Sequence, residues 1–178
     1  LRPFTHVLPK SLMPIRGKPL LEYWLEILHQ NRIRNVLVNS HYRHDDIKDF
    51  IIRERFRSWV QLSYEPKLLG TAGTIRGNAS FCAGCTILLA HADNWCQCDF
   101  SDFINFHQNQ RPAGTCMTMM TFRAEDPSSC GIVGLDQEGR VKSFVEKSER
   151  IVGNLANGAV YLIEPEVIDW IEARPEII

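Results

Sequence analysis

Two charged residues in predicted loops could handle a phosphate group. Lys10 follows Pro9, and a loop lysine offers a point positive charge to a phosphate. Asp93 comes shortly after the apolar run 87–90, and a carboxylate at the carboxyl end of a strand is well placed to bind Mg²⁺ together with a phosphate. Isolated loop lysines and aspartates are more often simply solvated, so each residue needs support from its surroundings.

A glycine-rich segment at residues 65–73 is a further candidate. It reads Glu-Pro-Lys-Leu-Leu-Gly-Thr-Ala-Gly, with Gly70 and Thr71 where a loop is expected to enter a helix. Glycines in a strand-to-helix loop let the backbone approach a ligand, although they serve equally in a tight turn and helix cap. An ionised Glu65 only accepts hydrogen bonds, so it suits a ligand that offers N–H donors.

Alternating strands and helices are expected to position these residues. Apolar periodicity and capping residues predict helices over residues 19–33, 45–56, 99–110 and 165–173, and a loop entering a helix over 70–78. Apolar or alternating runs predict strands at residues 36–38, 60–64, 86–90, 116–122, 131–135, 141–145 and 159–163.

This order of elements predicts an α/β fold, with a Rossmann-like, mostly parallel mixed sheet flanked by helices. Ligands bind outside the carboxyl ends of the strands in such sheets. From Cys130 onward the strands are shorter and a hairpin turn is expected at residues 137–139, which predicts a small additional β region. Because no repeat or long linker separates these parts, we expect a single domain over residues 1–178.

Composition excludes several classes of partner. The 178 residues carry a formal net charge of -1, which gives no reason to expect nucleic acid or an anionic membrane as partner. No apolar run approaches the roughly 20 residues of a membrane span. The pairs Cys82/Cys85 and Cys96/Cys98 could suggest zinc, but the second spacing is shorter than paired zinc ligands usually have. We therefore expect reduced thiols and a cytoplasmic protein.

Together, the motifs resemble the sugar-phosphate nucleotidyltransferases, also called sugar nucleotide pyrophosphorylases. Residues 1–10 match the end of that family's opening signature, including its Pro-Lys pair at Pro9-Lys10. Residues 65–73 are similar to its Leu-Gly-Thr-Ala-Gly segment, although the loop is one residue longer than the commonest form. Asp93-Asn94 matches its Gly-Asp-Asn metal motif, with Ala92 in place of the glycine.

Two later segments extend the resemblance. Gly131 through Glu146-Lys147 looks like the family's Gly-Val-Val…Phe-x-Glu-Lys-Pro segment, and Asn157-Gly158 begins a stretch similar to its Asn-x-Gly-x-Tyr segment. The resemblance implies that the Glu binds sugar hydroxyls, the Lys reaches the sugar phosphate, and Gly131, Asn157 and Gly158 line the sugar. The chemistry agrees, because carboxylates accept from hydroxyls and ammonium groups neutralise phosphates. A surface ion pair between strands is the alternative for Glu146 and Lys147.

The resemblance also implies an activity. An NTP, with GTP favoured, and a sugar 1-phosphate would give an NDP-sugar and pyrophosphate, as in mannose-1-phosphate and heptose-1-phosphate guanylyltransferases. Lys10 and Asp93 would be catalytic, with Mg²⁺ on Asp93, and Glu65, Gly70 and Thr71 would bind the nucleotide. GTP is favoured because the adjacent N–H donors of guanine suit the acceptor-only Glu65 carboxylate better than thymine or uracil does. We expect the family's Gly-rich loop and signature Arg before residue 1 and a second metal carboxylate after the last helix.

Several alternatives stay open at this point. Uridylyl, cytidylyl or thymidylyl transfer would fit the same family, as would a non-catalytic regulatory homologue. Because a fold does not determine function, a different small-molecule binder is also compatible with these elements. The sequence does not distinguish the sugar, and it leaves open whether the protein is a homo-oligomer.

Overall fold

The chain is described by a computed structural model that covers residues 3–146, 153–174 and 176. These residues fall into two compact units. The first unit holds the described residues of Leu1–Ala83, Ala92–Trp95 and Ile168–Ile178, and the second holds those of Gly84–His91 and Cys96–Val167. None of the helices in the described ranges is long and apolar enough to cross a membrane.

The first unit contains four complete α-helices and four short strands within its described residues. The helices are α1 (Leu20–Gln30), α2 (His44–Ile51), α3 (Gly70–Gly77) and α4 (Ala79–Cys82). The strands are β1 (Pro14–Ile15), β2 (Lys18–Pro19), β3 (Val36–Ser40) and β4 (Val60–Tyr64). Strands β1 and β2 form an antiparallel hairpin, whereas β3 and β4 pair in parallel from Val36/Val60 to Ser40/Tyr64.

Two predicted helices are shorter than their apolar periodicity indicated. Helix α1 ends at Gln30 rather than at residue 33, because Arg32 adopts the left-handed conformation with φ of 62°, typical just after a helix end. Helix α2 ends at Ile51 rather than at residue 56. Phe56 is nevertheless buried, and its ring centroid lies 5.0 Å from that of Phe50. This residue therefore reaches the core from a turn after the helix rather than from the helix itself.

An apolar core joins these elements of the first unit. It combines the inner faces of α1 and α2 with β3, β4 and residues on either side of them: Leu12, Leu21, Leu25, Val36, Ile47, Phe50, Ile51, Phe56 and Val60. Ala92 is partly buried and packs against this core. The segment that carries Asp93 is therefore anchored at its first residue by apolar contact.

The second unit is built on a five-stranded sheet. Its strands are β5 (Ile87–Ala90), β6 (Met117–Arg123), β7 (Gly131–Leu135), β8 (Val141–Glu146) and β9 (Leu155–Ile163). Strand β9 is central, since it pairs with β5, β6 and β7, while β8 pairs with β7. Helix α5 (Phe100–Asn109) is capped by Asp99, one of the two candidate caps together with Ser101, and its carboxylate accepts from the backbone N–H groups of Ser101 and Asp102. Helix α6 (Pro165–Glu172) follows β9, and its residues from Ile168 onward belong to the first unit.

The α/β class is confirmed, but the direction of strand pairing differs from the expected one. Within the described residues, β3 and β4 are the parallel pair, and the ladders of the five-stranded sheet are all antiparallel. The difference arises because β9 returns through the middle of the sheet. Alternating apolar residues indicate a strand but carry no information about the direction of its neighbours.

Strand β9 is also longer than predicted, since it starts at Leu155 rather than at residue 159. The predicted strand began after Asn157 and Gly158, and both belong to residue types that are depleted in strands. They are accommodated by an irregular ladder: between the pairs Met119/Tyr161 and Thr121/Asn157, one residue of β6 faces three of β9. Ala159 takes a φ of 52° at this bulge.

Candidate functional site

The structure brings Lys10 and Asp93 together within the first unit. The Lys10 Nζ atom lies 3.6 Å from an Asp93 carboxylate oxygen, and the two side chains are 58% and 42% exposed. Lys10 opens a short 3-10 turn that buries Leu12, so the lysine is carried on an anchored segment. An exposed ion pair of this kind contributes about 0–1 kcal/mol, and a phosphate or a metal ion could therefore replace either partner at little cost.

The donor set around Asp93 fits a magnesium ion that is shared with a substrate. Within the described ranges, no group of three or more His, Cys, Asp and Glu residues could hold a metal ion by itself. Mg²⁺ usually keeps several waters and binds through one or two carboxylates plus substrate phosphates. One accessible carboxylate beside a lysine suits that mode of binding, and it does not suit a site built from protein ligands alone.

Glu65 occupies a different environment from the one its predicted role requires. The residue follows β4 and is only 4% exposed. One carboxylate oxygen accepts a hydrogen bond from the Thr74 hydroxyl, and the other accepts from the Leu69 backbone N–H at 3.3 Å. The carboxylate thus closes the loop at residues 66–69 onto helix α3, and reading of a base by this side chain stays a prediction.

Gly70 and Thr71 form the accessible part of the same loop. Both are exposed, and Gly70 has a φ of 71° at the start of helix α3. A glycine suits this left-handed conformation because it has no Cβ. The first turn of the helix leaves backbone N–H groups without intrahelical partners, which favours an anionic or hydrogen-bond-accepting ligand.

The second unit brings Gly131 and Glu146 into one cross-strand pair. They face each other in the β7/β8 ladder, and Glu146 is exposed. A Cβ atom on Gly131 would lie 2.9 Å from a Glu146 carboxylate oxygen and 2.6 Å from the Phe144 ring. The absence of a side chain at Gly131 is therefore what allows the Glu146 carboxylate to lie over the sheet. Lys147 lies outside the described residues.

Asn157 and Gly158 shape the bulge of β9. The Asn157 side chain donates to the Tyr161 hydroxyl at 2.6 Å and accepts from the Ala159 backbone N–H at 2.8 Å. A Cβ on Gly158 would lie 3.0 Å from the Met120 carbonyl oxygen, so the backbones approach each other closely here.

Strand pairing brings the predicted sugar residues of β7 and β8 onto one face. Gly131 of β7 faces Glu146 of β8, and directly opposed residues of antiparallel strands share a face of the sheet. On the other side of β7, Ile132 pairs with Ala156 of β9, and these two residues adjoin Gly131 and Asn157 in the sequence. Predicted residues that are widely spaced in the sequence therefore lie on neighbouring strands of one sheet.

Sequence reasoning missed a buried polar cluster in the second unit. His107 is 2% exposed, and its ring bonds the Thr118 hydroxyl at 2.8 Å and an Arg111 guanidinium nitrogen at 2.9 Å. Arg111 also donates to Glu164, whose other oxygen accepts from Thr86 at 2.8 Å. Its members come from separate elements, so spacing along the chain carried no signal for this network.

The cluster has a defined charge state. Burial, aided by the Arg111 charge, lowers the pKa of His107, which favours a neutral imidazole. The Thr86 hydrogen bond and the Arg111 guanidinium lower the pKa of Glu164, which favours the carboxylate. The His107 Nε2 atom lies 2.9 Å from an Arg111 nitrogen and 3.1 Å from a Glu164 carboxylate oxygen, and Nδ1 lies 2.8 Å from the Thr118 hydroxyl, so both ring nitrogens have polar partners.

Comparison with known proteins identifies the class. The family model described as nucleotidyl transferase matches residues 1–176. The chain belongs to the nucleotidyl transferase family. The resemblance drawn from the motifs is therefore confirmed at the level of the family.

Individual relatives agree with this assignment. The chain is 32% identical to the mannose-1-phosphate guanylyltransferase catalytic subunit beta of Drosophila melanogaster, over 98% of this chain and 48% of that protein. The chain thus spans about half the length of the curated relatives it matches.

Two solved structures share the fold. A putative glucose-1-phosphate thymidylyltransferase from Bacillus anthracis, in complex with a sucrose, has a TM-score of 0.84 at 19% identity, with 96% of this chain and 68% of that chain covered. HddC from Yersinia pseudotuberculosis complexed with GMP-PN has a TM-score of 0.75 at 24% identity, with 91% and 70% covered.

Proposed function

We propose that the protein containing this chain joins an NTP and a sugar 1-phosphate to give an NDP-sugar and pyrophosphate, with GTP as the favoured nucleotide. The observation that carries the proposal is the Lys10–Asp93 pair, because it sets a positive charge 3.6 Å from an accessible carboxylate. Membership of the nucleotidyl transferase family supports it, as does the guanylyltransferase name of a relative. The proposal treats residues 1–178 as one nucleotidyltransferase domain.

The reaction requires charge to be neutralised more than it requires a base. An oxygen of the sugar phosphate would attack the α-phosphorus of the NTP in line, and the bond to pyrophosphate would break. The nucleophile is already an anion near neutral pH, so positioning and electrostatic stabilisation supply the catalysis. Lys10 would stabilise the phosphates, and Asp93 would hold Mg²⁺, which supplies further positive charge when bound.

The roles of the remaining residues follow from their accessibility. Gly70 and Thr71 would contact the nucleotide, and Glu65 would keep their loop closed while the base is bound. In the second unit, Glu146 would accept hydrogen bonds from sugar hydroxyls over Gly131. The bulge at Asn157 and Gly158 would line the sugar, and Lys147 would reach its phosphate.

Selection of the base is the finer part of the proposal. GMP-PN is bound to one protein of the same fold, and the name of another is that of a thymidylyltransferase. Since the Glu65 carboxylate is bonded within its own loop, the accessible backbone of that loop becomes a second candidate for reading the base. Cytoplasmic location is included in the proposal because the cysteines are expected to be reduced thiols.

Pyrophosphate release tests the activity directly. The full-length protein would be incubated with Mg²⁺, each of the four NTPs and a panel of sugar 1-phosphates. Release with GTP alone supports the proposal in full, and release with another NTP keeps the activity while contradicting the choice of base. A folded protein that releases no pyrophosphate with any pair contradicts the enzyme proposal and favours a non-catalytic homologue.

A further inference from the structure

Helix α1 presents two adjacent aromatic residues, Tyr23 and Trp24, to the segment that carries Asp93. Trp24 is 4% exposed, and its indole Nε1 donates a hydrogen bond of 2.9 Å to the backbone carbonyl of Asn94. Asn94 directly follows Asp93. This part-buried bond restrains the Asn94–Trp95 peptide, one residue beyond the carboxylate, and it comes from a helix that the core holds in place.

Tyr23 reaches both parts of the proposed site. Its ring lies edge-to-face against Trp95, with centroids 4.8 Å apart and planes at 78°. Its hydroxyl donates to the Ile15 carbonyl at 2.9 Å, and the Lys18 ammonium lies 4.0 Å from its ring centroid. One side chain therefore contacts the segment that follows Lys10 and the segment that follows Asp93.

The Lys10–Asp93 pair needs such support. Both side chains are largely exposed and their charged groups are 3.6 Å apart, so solvent screening leaves too weak an attraction to hold them in one geometry. Chemistry at a phosphate depends on closely defined distances between the reacting groups. The constraint must come from the backbones that carry the two residues, and the contacts of Tyr23 and Trp24 act on those backbones.

We propose that Tyr23 and Trp24 are positioning residues that hold the Asp93 segment in register with the Lys10 segment. The inference rests on the proposed function for its catalytic consequence, but the positioning of a metal-binding carboxylate can be measured without catalysis. Groups that orient metal ligands typically change metal affinity or activity by about 10–100-fold when they are removed.

The chain offers a matched control for Trp24. Trp59 also donates from its indole Nε1 to a backbone carbonyl at 2.9 Å, in this case that of Arg55. Trp24→Phe and Trp59→Phe therefore remove the same atoms and the same kind of bond from one unit. A difference between the two variants in metal binding or turnover cannot be assigned to the loss of an indole as such.

The experiment measures Mn²⁺ binding and steady-state kinetics on the full-length protein. Free Mn²⁺ would be followed by electron paramagnetic resonance, with Mn²⁺ and inorganic phosphate as the probe, because the proposed site shares its metal ion with phosphates. We expect Trp24→Phe to weaken Mn²⁺ binding and to lower kcat by about tenfold with little change in the KM of the sugar 1-phosphate, and Trp59→Phe to stay within about twofold of wild type. Equal behaviour of the two variants in both readouts would overturn the inference.

A second variant covers the case in which Trp24→Phe does not fold. Tyr23→Phe keeps the ring against Trp95 and removes only the bond to Ile15. A lower kcat at unchanged KM supports positioning, and an unchanged kcat overturns it. If the wild-type protein is inactive with every substrate pair, the proposed function fails, while the comparison of Mn²⁺ affinities still decides the positioning role.

Discussion

The two units present their predicted ligand-binding glutamates in opposite ways. In the first unit, Glu65 is buried and its carboxylate is bonded to Thr74 and to the backbone of Leu69. In the second unit, Glu146 is exposed at the end of β8, a strand whose residues are all exposed. The same residue type therefore supports the shape of a loop in one unit and presents an exposed hydrogen-bond acceptor in the other.

This contrast separates two ways of recognising a ligand. A buried carboxylate is expensive to desolvate and is held by its partners, so its loss changes the shape and stability of the protein. An exposed carboxylate contributes little to stability, so its loss changes binding alone. Substitution of Glu65 should thus affect folding and nucleotide binding together, whereas substitution of Glu146 should selectively affect binding of the sugar substrate.

The largest expected effect is at the exposed pair of the first unit. Asp93→Asn removes the charge that would hold Mg²⁺, and a loss of several kcal/mol in transition-state stabilisation lowers kcat by about a hundredfold or more. Pyrophosphate release at saturating substrates measures it. Asp49→Asn, at an exposed carboxylate on α2, should leave kcat unchanged. A similar loss in both variants would show that the effect is not specific to Asp93.

Gly131→Ala should disturb the exposed Glu146 carboxylate of the second unit without affecting Glu65 of the first. The new Cβ would displace the ends of the Glu146 and Phe144 side chains, so we expect the KM of the sugar 1-phosphate to rise about tenfold, equivalent to one lost hydrogen bond at ~1.4 kcal/mol. The KM of the NTP should not change. Gly134→Ala is the control, because its Cβ would meet only the Ser143 side chain and backbone. Equal KM values in the two variants would contradict the proposed role.

Glu65→Gln and Glu146→Gln sharpen the contrast directly. The glutamine oxygen can still accept from the Leu69 N–H, but its NH2 group then faces the Thr74 hydroxyl, which loses its charged acceptor and already accepts from Asn39. This loss should cost about 1–3 kcal/mol of stability, and the KM of every NTP should rise together. A switch from GTP to UTP or dTTP would instead support reading of the base by Glu65.

Glu146→Gln should leave the thermal midpoint unchanged and raise only the KM of the sugar 1-phosphate.

A smaller effect is expected from pH. The pKa of His107 is lowered from its usual value of 6.5 in the folded protein, so this histidine binds a proton more readily in the unfolded chain. The contribution of His107 to the free energy of unfolding should be fully present above pH 6.5 and should be lost as the pH falls below that value. The lowered pKa of Glu164 adds a further loss as the pH falls below its usual value of 4.5.

Thermal midpoints between pH 7.5 and 5.5 check the His107 contribution. His107→Gln should show a shallower fall than wild type, because the titrating group is gone. His6→Gln, at an exposed histidine of the first unit, should follow the wild-type curve. Parallel curves for wild type and His107→Gln would refute the assignment.

Local patterns predicted most of the fold. The strands Val60–Tyr64 and Gly131–Leu135 have the predicted bounds, and Asp99 caps its helix as expected. Apolar spacing and capping are properties of neighbouring residues, so a single sequence reveals them. The pairing of β9 with three other strands depends on contacts far apart in the chain, and no local pattern encodes it.

The candidate site divides in the same way. Motif order led to Lys10 and Asp93, and the structure places them 3.6 Å apart. The burial of Glu65 could not be foreseen, because its partner Thr74 lies nine residues later on a different element. Trp24 was recognised only as an apolar position of α1, since periodicity registers the ring and not the bond that its N–H donates to Asn94.

The irregular stretch of β9 also limits how the length of this strand can vary. At the bulge, β9 has two more residues than the stretch of β6 that it faces. Side chains alternate between the two faces of a strand, so an even number of extra residues leaves Ala156, Val160 and Leu162 all buried. Deleting one residue would turn half of the strand inside out, whereas deleting two would only straighten the ladder. Insertions and deletions that are tolerated at residues 157–160 should therefore change the length of the strand by an even number of residues.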